Sequence, residues 1–324
     1  MTDLSIVIVS YNTRRLLGDC LGSLPEAAQG LRWEAVVVDN ASSDGSAEFV
    51  ESRFPAVRLI RNGENVGFSR ACNQGVKASC GASLLFLNSD AQPRPQSLAR
   101  LAGFLRDHPR CGAVGPRLVP PSGVAACCSF FRFPSLTRPF MDFAAVRAVF
   151  SERFTLAYPP QNTIAVHGGR VDWISGACLL ARRSTLEAVG RWDERYFMYY
   201  EDVDLCRRLN AAGWEIVYWP FADVVHLSGE SAKREPLRLS VEIQRSRLTY
   251  FSIHHPGTVY ALQRLMVAAA ALLRGLWSLG LLEFVRLRAE TQIIRLALRH
   301  GNGGWMGARR PETMGSPMQG RDTR

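Results

Sequence analysis

Leu4-Ser5-Ile6-Val7-Ile8-Val9 is a short apolar run that stops at Ser10-Tyr11-Asn12. Its length and β-branched residues suit a strand. Its lack of strict polar alternation predicts burial on both faces, as in a parallel sheet. The signature recurs outward from it. Ala35-Val36-Val37-Val38 ends in the polar turn Asp39-Asn40-Ala41-Ser42-Ser43-Asp44-Gly45-Ser46. Val57 to Ile60 forms a third strand, and Ser83 to Leu87 a fourth that ends at Asn88-Ser89-Asp90. Between them, residues 13 to 24 read as a helix stopped by Pro25, a second helix follows Ser46, and Asn65-Val66-Gly67-Phe68-Ser69-Arg70-Ala71-Cys72-Asn73 opens a third. This alternation predicts an α/β fold: a Rossmann-like, mostly parallel central sheet with flanking helices on both faces.

Such sheets bind ligands beyond the carboxyl ends of their strands. Asp39, Asp44 and Asp90 all follow strand ends and can converge on one crevice. Each has a plain reading as a turn former. In the functional reading, Asp39 accepts the imide N–H of a uracil or thymine ring, or a ribose hydroxyl. Asp90 ligates a divalent cation bridging a diphosphate, since hard cations take oxygen ligands. No Gly-x-Gly-x-x-Gly follows the first strand, which argues against a dinucleotide dehydrogenase, and no Gly-Lys-Ser/Thr phosphate loop occurs.

A second concentration of chemistry runs from Gly190 to Leu209, where Asp193, Glu194, Glu201, Asp202 and Asp204 crowd an aromatic cluster. Val203, Cys206 and Leu209 follow a helical step, and Gly213 is a stop signal. Glu201 and Asp202 then lie in a first helical turn, where the helix dipole favours ionised carboxylates. A carboxylate fixed there, beside an aromatic pocket, suits a general base; helix capping is the plain alternative.

The 324 residues are 47% hydrophobic and 21% charged, an ordinary globular composition with room for one or two domains. Met1 to Asp3 lacks the basic opening of a secretory signal. The eight cysteines show no Cys-x-x-Cys pair and read as reduced thiols of a cytosolic protein. The net charge of +10 is uneven: residues 232 to 324 carry 15 Lys/Arg against 6 Asp/Glu, while residues 1 to 231 carry 24 against 23. A basic C-terminal region suggests an anionic surface, membrane or nucleic acid.

The ordered set of segments resembles the family 2 glycosyltransferases of the GT-A fold, most closely their rhamnosyltransferase-like branch. It comprises Ser5 to Asn12, Val38 to Ser46, Leu87 to Asp90 and Glu201-Asp202-Val203-Asp204, joined by Gly67-Phe68, by Trp173 with Gly176-Ala177, and by His226 with Gly229 and Ser231. The set spans about residues 4 to 255.

The resemblance implies a nucleotide-sugar pocket formed by Tyr11, Asn12, Asp39, Asn40, Asp44, Gly67, Phe68, Asn73 and Asn88, with Trp173, Gly176 and Ala177 lining the donor sugar. Asp90 closes a shortened Asp-x-Asp motif whose first position is Asn88. It is expected to hold Mg²⁺ or Mn²⁺ on the donor diphosphate, with His226 completing the metal site or touching the diphosphate. The plain reading of His226 is a polar loop residue. Asp202 is the expected base toward the acceptor hydroxyl, Glu201 and Asp204 shape the pocket or cap the helix, and Asp193 is the second candidate base. Trp192 stands where Phe is commoner in the family. The implied reaction is inverting transfer from a nucleotide sugar, first dTDP-rhamnose and second a UDP-hexose or UDP-N-acetylhexosamine, to a lipid-linked or cell-envelope glycan. No Gln-x-x-Arg-Trp segment, as carried by processive synthases, follows the acidic helix, so single additions are expected.

Residues 119 to 170 are expected to fold over the acceptor side, with a short helix near 138 to 150. The glycosyltransferase domain is assigned to residues 1–255. A helical extension over residues 256–300 is rich in Leu and Ala, but Arg264, Arg274 and Glu283 interrupt it, and its longest uncharged run (Leu265 to Leu273) is short for a membrane-spanning helix. It reads as amphipathic helices on the inner, anionic face of the cell membrane, with Trp277 near the headgroups. The alternative is a hairpin packed on the catalytic domain or another subunit; a homodimer is left open. The tail, 301–324, reads as disordered. Nucleic acid is not expected as a partner, because the basic region is too apolar for a simple phosphate-binding arm. A glycosidase, a sugar-nucleotide pyrophosphorylase and a non-catalytic membrane-bound carbohydrate-binding module account for fewer of these features.

Overall fold

The structure is a computed structural model that describes residues 2–122, 129–134, 136, 163–227, 236–280 and 283–300. The helix expected near 138 to 150, Cys127-Cys128, Gly229, Ser231 and the tail at 301–324 lie outside the described residues.

The opening run forms β1 (Leu4–Ser10). The strands expected after it are β2 (Trp33–Asp39), β3 (Arg58–Arg61) and β4 (Ser83–Asn88). The crossover helices are α1 (Arg14–Ala27), α2 (Ser46–Arg53) and α3 (Phe68–Lys77). Pro25 lies inside α1 and does not end it. Proline removes one backbone donor, and the turn beyond it is held by Ala27 and Ala28, both fully buried.

Beyond β4 the chain forms β5 (Ala91–Pro93), α4 (Ser97–Asp107) and β6 (Cys111–Val119). Next come β7 (Phe130–Phe131), α5 (Thr163–His167), β8 (Gly169–Arg170), β9 (Trp173–Ile174) and β10 (Cys178–Arg182). The strands β7 and β9 pair as a small ribbon. The sheet-bearing part of the chain closes with α6 (Arg183–Ala188), α7 (Glu201–Ala211) and β11 (Glu215–His226). Gly213, with φ +85°, follows α7 as the sequence predicts.

The main sheet runs β3-β2-β1-β4-β10-β6-β11-β5, with β8 attached to β11. Strand β10 is antiparallel to both β4 and β6, and β11 is parallel to β6. Six strands (β1, β2, β3, β4, β6 and β11) therefore share one direction, and the sheet is mostly parallel. In β1 the side chains alternate between two cores. Ile6 and Ile8 pack with Leu17, Leu21 and Leu24 of α1 and Leu98 and Leu101 of α4. Val7 packs with Cys72 and Val76 of α3 and with Leu205, Cys206 and Leu209 of α7. Six cysteines are free thiols among the described residues, and Cys80 alone of these is exposed.

The last three helices are α8 (Pro236–His254), α9 (Gly257–Gly280) and α10 (Phe284–Arg299). Leu248, Val267, Ala271, Ile293 and Ala297 join them in a core of their own. The arginines that interrupt the apolar sequence turn inward. Arg264 donates to the carbonyls of Ala297 and Leu298, and Arg274 pairs with Glu290 at 2.8 Å. From 261 to 280, every exposed side chain is consequently Ala, Leu or Trp. Helix α9 is long and apolar enough to cross a membrane by length and composition, with a mean hydropathy of 1.3 over its best window.

Candidate active site

Register aligns the strand ends. Ser10 lies opposite Asp39, and Val9 opposite Asn88, so the polar residues after β1, β2 and β4 open on one crevice. Asn12, at φ +55°, links two of these turns: its N–H donates to Ser42 Oγ at 2.9 Å, and its Oδ1 accepts from Ser43 N–H at 2.7 Å. Tyr11 is exposed at the rim. Asp39 is buried. Its Oδ2 accepts the N–H of Ser42 at 2.9 Å, while its Oδ1 has no hydrogen-bond partner. A buried carboxylate oxygen left unpaired is costly, and it suits an acceptor role toward a ligand N–H or hydroxyl.

Several expected pocket residues have structural partners. Asn40 donates to the Gly67 carbonyl at 3.2 Å. Asp44 receives the Arg14 N–H at 2.9 Å on Oδ2 and the Ser46 N–H at 3.1 Å on Oδ1, linking the starts of α1 and α2. Burial opposes its ionisation, but these bonds hold it below the ordinary carboxylate range. Asn73 ties α3 to the acidic stretch through Trp192 and Glu194. Gly67, at φ +85°, lets the backbone approach Phe197 so closely that a Cβ would sit 2.6 Å from its carbonyl oxygen. Phe68 N–H donates to that same carbonyl at 2.7 Å.

Pairing of β11 with β5 sets His226 opposite Ala91. His226 Nε2 lies 3.2 Å from Asp90 Oδ1 and 3.5 Å from Asn88 Nδ2, and both the Asp90 and His226 side chains are largely buried. One carboxylate oxygen and one imidazole nitrogen at the mouth of a polar crevice fit an open divalent-cation site of the Mg²⁺ or Mn²⁺ kind. Among the described residues, no group of three or more His, Cys, Asp or Glu side chains forms a closed metal cage. Hydroxyls back this corner: Thr13 Oγ1 donates to Ser89 Oγ at 2.9 Å and is 3.0 Å from Ser10 Oγ.

A hydrogen-bonded chain leads from here to the acidic helix. Asn88 N–H donates to the Ala177 carbonyl at 3.0 Å, and Gly176 N–H donates to Asp202 Oδ2 at 2.9 Å. Asp202 Oδ1 accepts from Val203 N–H at 2.8 Å. Burial pushes the Asp202 carboxyl up to about 6, against these two bonds. Glu201 is held well above its ordinary value, by burial first and then by its acidic neighbours, and its Oε2 has no partner. Burial opposes ionisation at both carboxyls, and the two backbone N–H groups favour the charged form at Asp202.

Asp193 has other partners: Arg195 donates to both of its oxygens, with a closest approach of 2.5 Å. Asp204 is fully buried. Burial alone would raise it, but His254 at 2.6 Å and Arg208 at 2.7 Å bring it below its ordinary value. Trp173 donates from Nε1 to the Arg132 carbonyl and stacks on Phe131 at 4.3 Å.

Two consecutive left-handed residues, Tyr199 (φ +67°) and Tyr200 (φ +64°), precede Glu201. Each such conformation costs a non-glycine residue about 1–2 kcal/mol. Helix α8 supplies groups around this corner that sequence reasoning does not single out, among them Ser246, Arg247 and His254. Polar residues at helical spacing look like a solvated face until the fold shows what they meet.

Two family models match the chain: Glycosyl transferase family 2 over residues 5–127 and Glycosyl transferase family group 2 over residues 83–289. The N-acetylglucosaminyl-diphospho-decaprenol L-rhamnosyltransferase of Mycobacterium tuberculosis is 36% identical over 272 residues, which cover 79% of this chain and 87% of that protein. The low-salt glycan biosynthesis hexosyltransferase of Haloferax volcanii is 25% identical, over 70% of this chain and 67% of that protein. Among solved structures, the mannosyltransferase of Pyrobaculum calidifontis in complex with GDP-Man and Mn²⁺ superposes with a TM-score of 0.53 at 18% identity, over 92% of this chain and 88% of that one. That likeness gives the GT-A fold. The strand-end crevice, the acidic helix and the length of these matches agree: the chain is an enzyme of the family 2 glycosyltransferases.

Proposed function

We propose that the protein transfers rhamnose, with inversion, from dTDP-rhamnose to a lipid-linked glycan at the inner face of the cell membrane. The observation that carries the reaction is Asp202. Its carboxyl rises to about 6, so it is ionised at neutral pH yet basic enough to take a proton. Two backbone N–H groups orient it. Asp202 accepts the acceptor hydroxyl's proton as that oxygen attacks the anomeric carbon. Asp39 Oδ1 receives the imide N–H of the thymine ring, which a uracil ring would equally offer. Asp90 and His226 would hold a divalent metal, which when bound would supply positive charge beside the leaving nucleoside diphosphate. Positioning of donor and acceptor supplies much of the remaining acceleration.

The choice of rhamnose and of a polyprenol-linked acceptor is supported by the name of the mycobacterial relative. The membrane is supported by α9, whose outward Leu and Trp side chains include Leu265 at 63% and Trp277 at 70% exposure. Covering that face is worth on the order of 10 kcal/mol. Arg286, Arg288, Arg295 and Arg299 on the exposed side of α10 suit anionic headgroups.

The test is nucleoside diphosphate release from dTDP-rhamnose, UDP-hexoses and UDP-N-acetylhexosamine, with and without Mn²⁺, in the presence of polyprenyl-diphosphate-linked N-acetylglucosamine. Metal-dependent turnover of dTDP-rhamnose supports the reading. Turnover of a UDP-sugar in its place moves the assignment to the second donor. Binding of no nucleotide sugar at all overturns it.

A further inference from the structure

Helix α8 has two working faces. One carries Leu248 into the core shared with α9 and α10. The other lies on α7 and on the turn that leads into it. Ser246 Oγ donates to the Met198 carbonyl at 2.8 Å, and Arg247 Nε donates to the Tyr200 hydroxyl at 2.9 Å. Arg207 of α7 donates to the Tyr250 hydroxyl at 2.9 Å, and His254 meets Asp204 at 2.6 Å. Ser246, Tyr250 and His254 are spaced i, i+4, i+8 and so fall on one side of the helix, with Arg247 beside them. Arg247 is itself 2% exposed and also reaches Gln244 Oε1 at 3.0 Å.

The segment they hold is one the backbone disfavours. Tyr199 and Tyr200 are both left-handed, Tyr200 makes no side-chain capping bond, and Asp202 follows two residues later. Such a corner persists only where its surroundings over-determine it. On one side the base is held by Gly176; on the other, α8 fixes residues 198, 200, 204 and 207.

We propose that Arg247 and His254 are positioning residues for Asp202: through the Tyr200 hydroxyl and the Asp204 carboxylate, α8 keeps the first turn of α7 aimed at the acceptor side of the crevice. The proposal rests on Asp202 being the base. Neither residue contacts the reacting atoms, so their loss is expected in kcat and not in donor affinity.

The test uses the full-length protein with Arg247→Met, Arg247→Lys, His254→Ala and Tyr200→Phe, scored by kcat, donor KM, nucleoside diphosphate Kd and melting temperature, beside Asp202→Asn as control. Misaiming a base by about an ångström costs up to about 100-fold. Arg247→Met is expected to lower kcat about 10–100-fold with donor KM and Kd within about threefold, and His254→Ala to lower it about tenfold. Arg247→Lys recovers part of the loss, because an ammonium N–H can still reach the Tyr200 hydroxyl. Tyr200→Phe lowers kcat about 3–10-fold, and adding it to Arg247→Met has little further effect, as for two ends of one interaction. If Arg247→Met does not fold, Tyr200→Phe and Arg247→Lys decide. A kcat within twofold of wild type in folded Tyr200→Phe and Arg247→Met overturns the proposal, as does a rise in KM alone. Should Asp202→Asn itself turn over normally, the base assignment fails instead.

Discussion

Replacing Asp202 by Asn separates what the carboxylate does for turnover from what it does for stability. A general base contributes about 100- to 10,000-fold, so kcat is expected to fall by that factor with little change in donor KM. The wild-type rate is expected to carry an acid limb set by this carboxyl, which burial pushes up to about 6. Below it the rate falls tenfold per pH unit, and at pH 5 about a tenth of the plateau remains. The residual rate of the variant lacks this limb.

The stability side follows from the same rise. Lifting a carboxyl from 3.8 to about 6 costs about 3 kcal/mol once it is ionised. The cost is absent below about pH 4, where folded and unfolded chains are both protonated. It grows as pH rises toward 6 and is constant above. Asn removes that penalty but has one acceptor atom for the two N–H groups of Gly176 and Val203. Setting an amide N–H against one of them costs about 1–3 kcal/mol. The two nearly offset at pH 8, while at pH 4.5 the variant is the less stable by about 1–2 kcal/mol. Initial rates of nucleoside diphosphate release from pH 4.5 to 8.5, with urea unfolding at both ends, measure all of this. A variant retaining more than about a tenth of wild-type kcat, or a wild-type plateau that continues to pH 4.5, refutes the assignment.

In Asp39→Asn, an amide N–H would face the ligand N–H that the unpaired Oδ1 is placed to accept; donor KM is expected to rise about 10–100-fold with kcat nearly unchanged, by steady-state kinetics. In Gly67→Ala, a left-handed backbone and a Cβ 2.6 Å from the Phe197 carbonyl lower stability by about 2–4 kcal/mol, seen in urea unfolding. Paired Leu272→Glu and Leu276→Glu changes, on the exposed face of α9, abolish co-flotation with anionic vesicles while leaving the melting temperature and turnover of a water-soluble acceptor unchanged; persistent flotation would assign that face to another contact.

The part of the fold that sequence reading recovers is the part built from local pattern. The four parallel strands and their polar turns are each contained in a few consecutive residues, so Asp39 and Asp90 could be put at strand ends before any pairing was known. Cys178–Arg182 escaped because a short apolar run between β4 and β6, pairing antiparallel with both, has no local mark of its neighbours. Arg264 and Arg274 look like interruptions when counted along the chain; rotation about the helix axis turns them toward α10. Gln244-Arg245-Ser246-Arg247-Leu248 keeps the Gln and Arg of Gln-x-x-Arg-Trp at their spacing, with Leu in the last place. Arg247 is buried there against Tyr200, a contact that only tertiary structure reveals. The resemblance already ranked Asp202 above Asp193 as the expected base; what the local pattern does not carry is their partners, Arg195 for Asp193 and the Gly176 N–H for Asp202.

Strand order also governs how this protein can be made. The strand ends that carry Asp39 and Asp90 are synthesised early, but among the described residues the second edge of β4 is covered by β10, and β11 comes later still to join β6 and β5. A nascent chain therefore carries an apolar strand with a bare hydrogen-bonding edge until residue 182 has emerged. Pairings this distant in sequence form slowly, and bare edges invite association between chains. Fragments ending between β6 and β10 are expected to aggregate, and the folding of the intact chain to depend on chaperone protection during that interval.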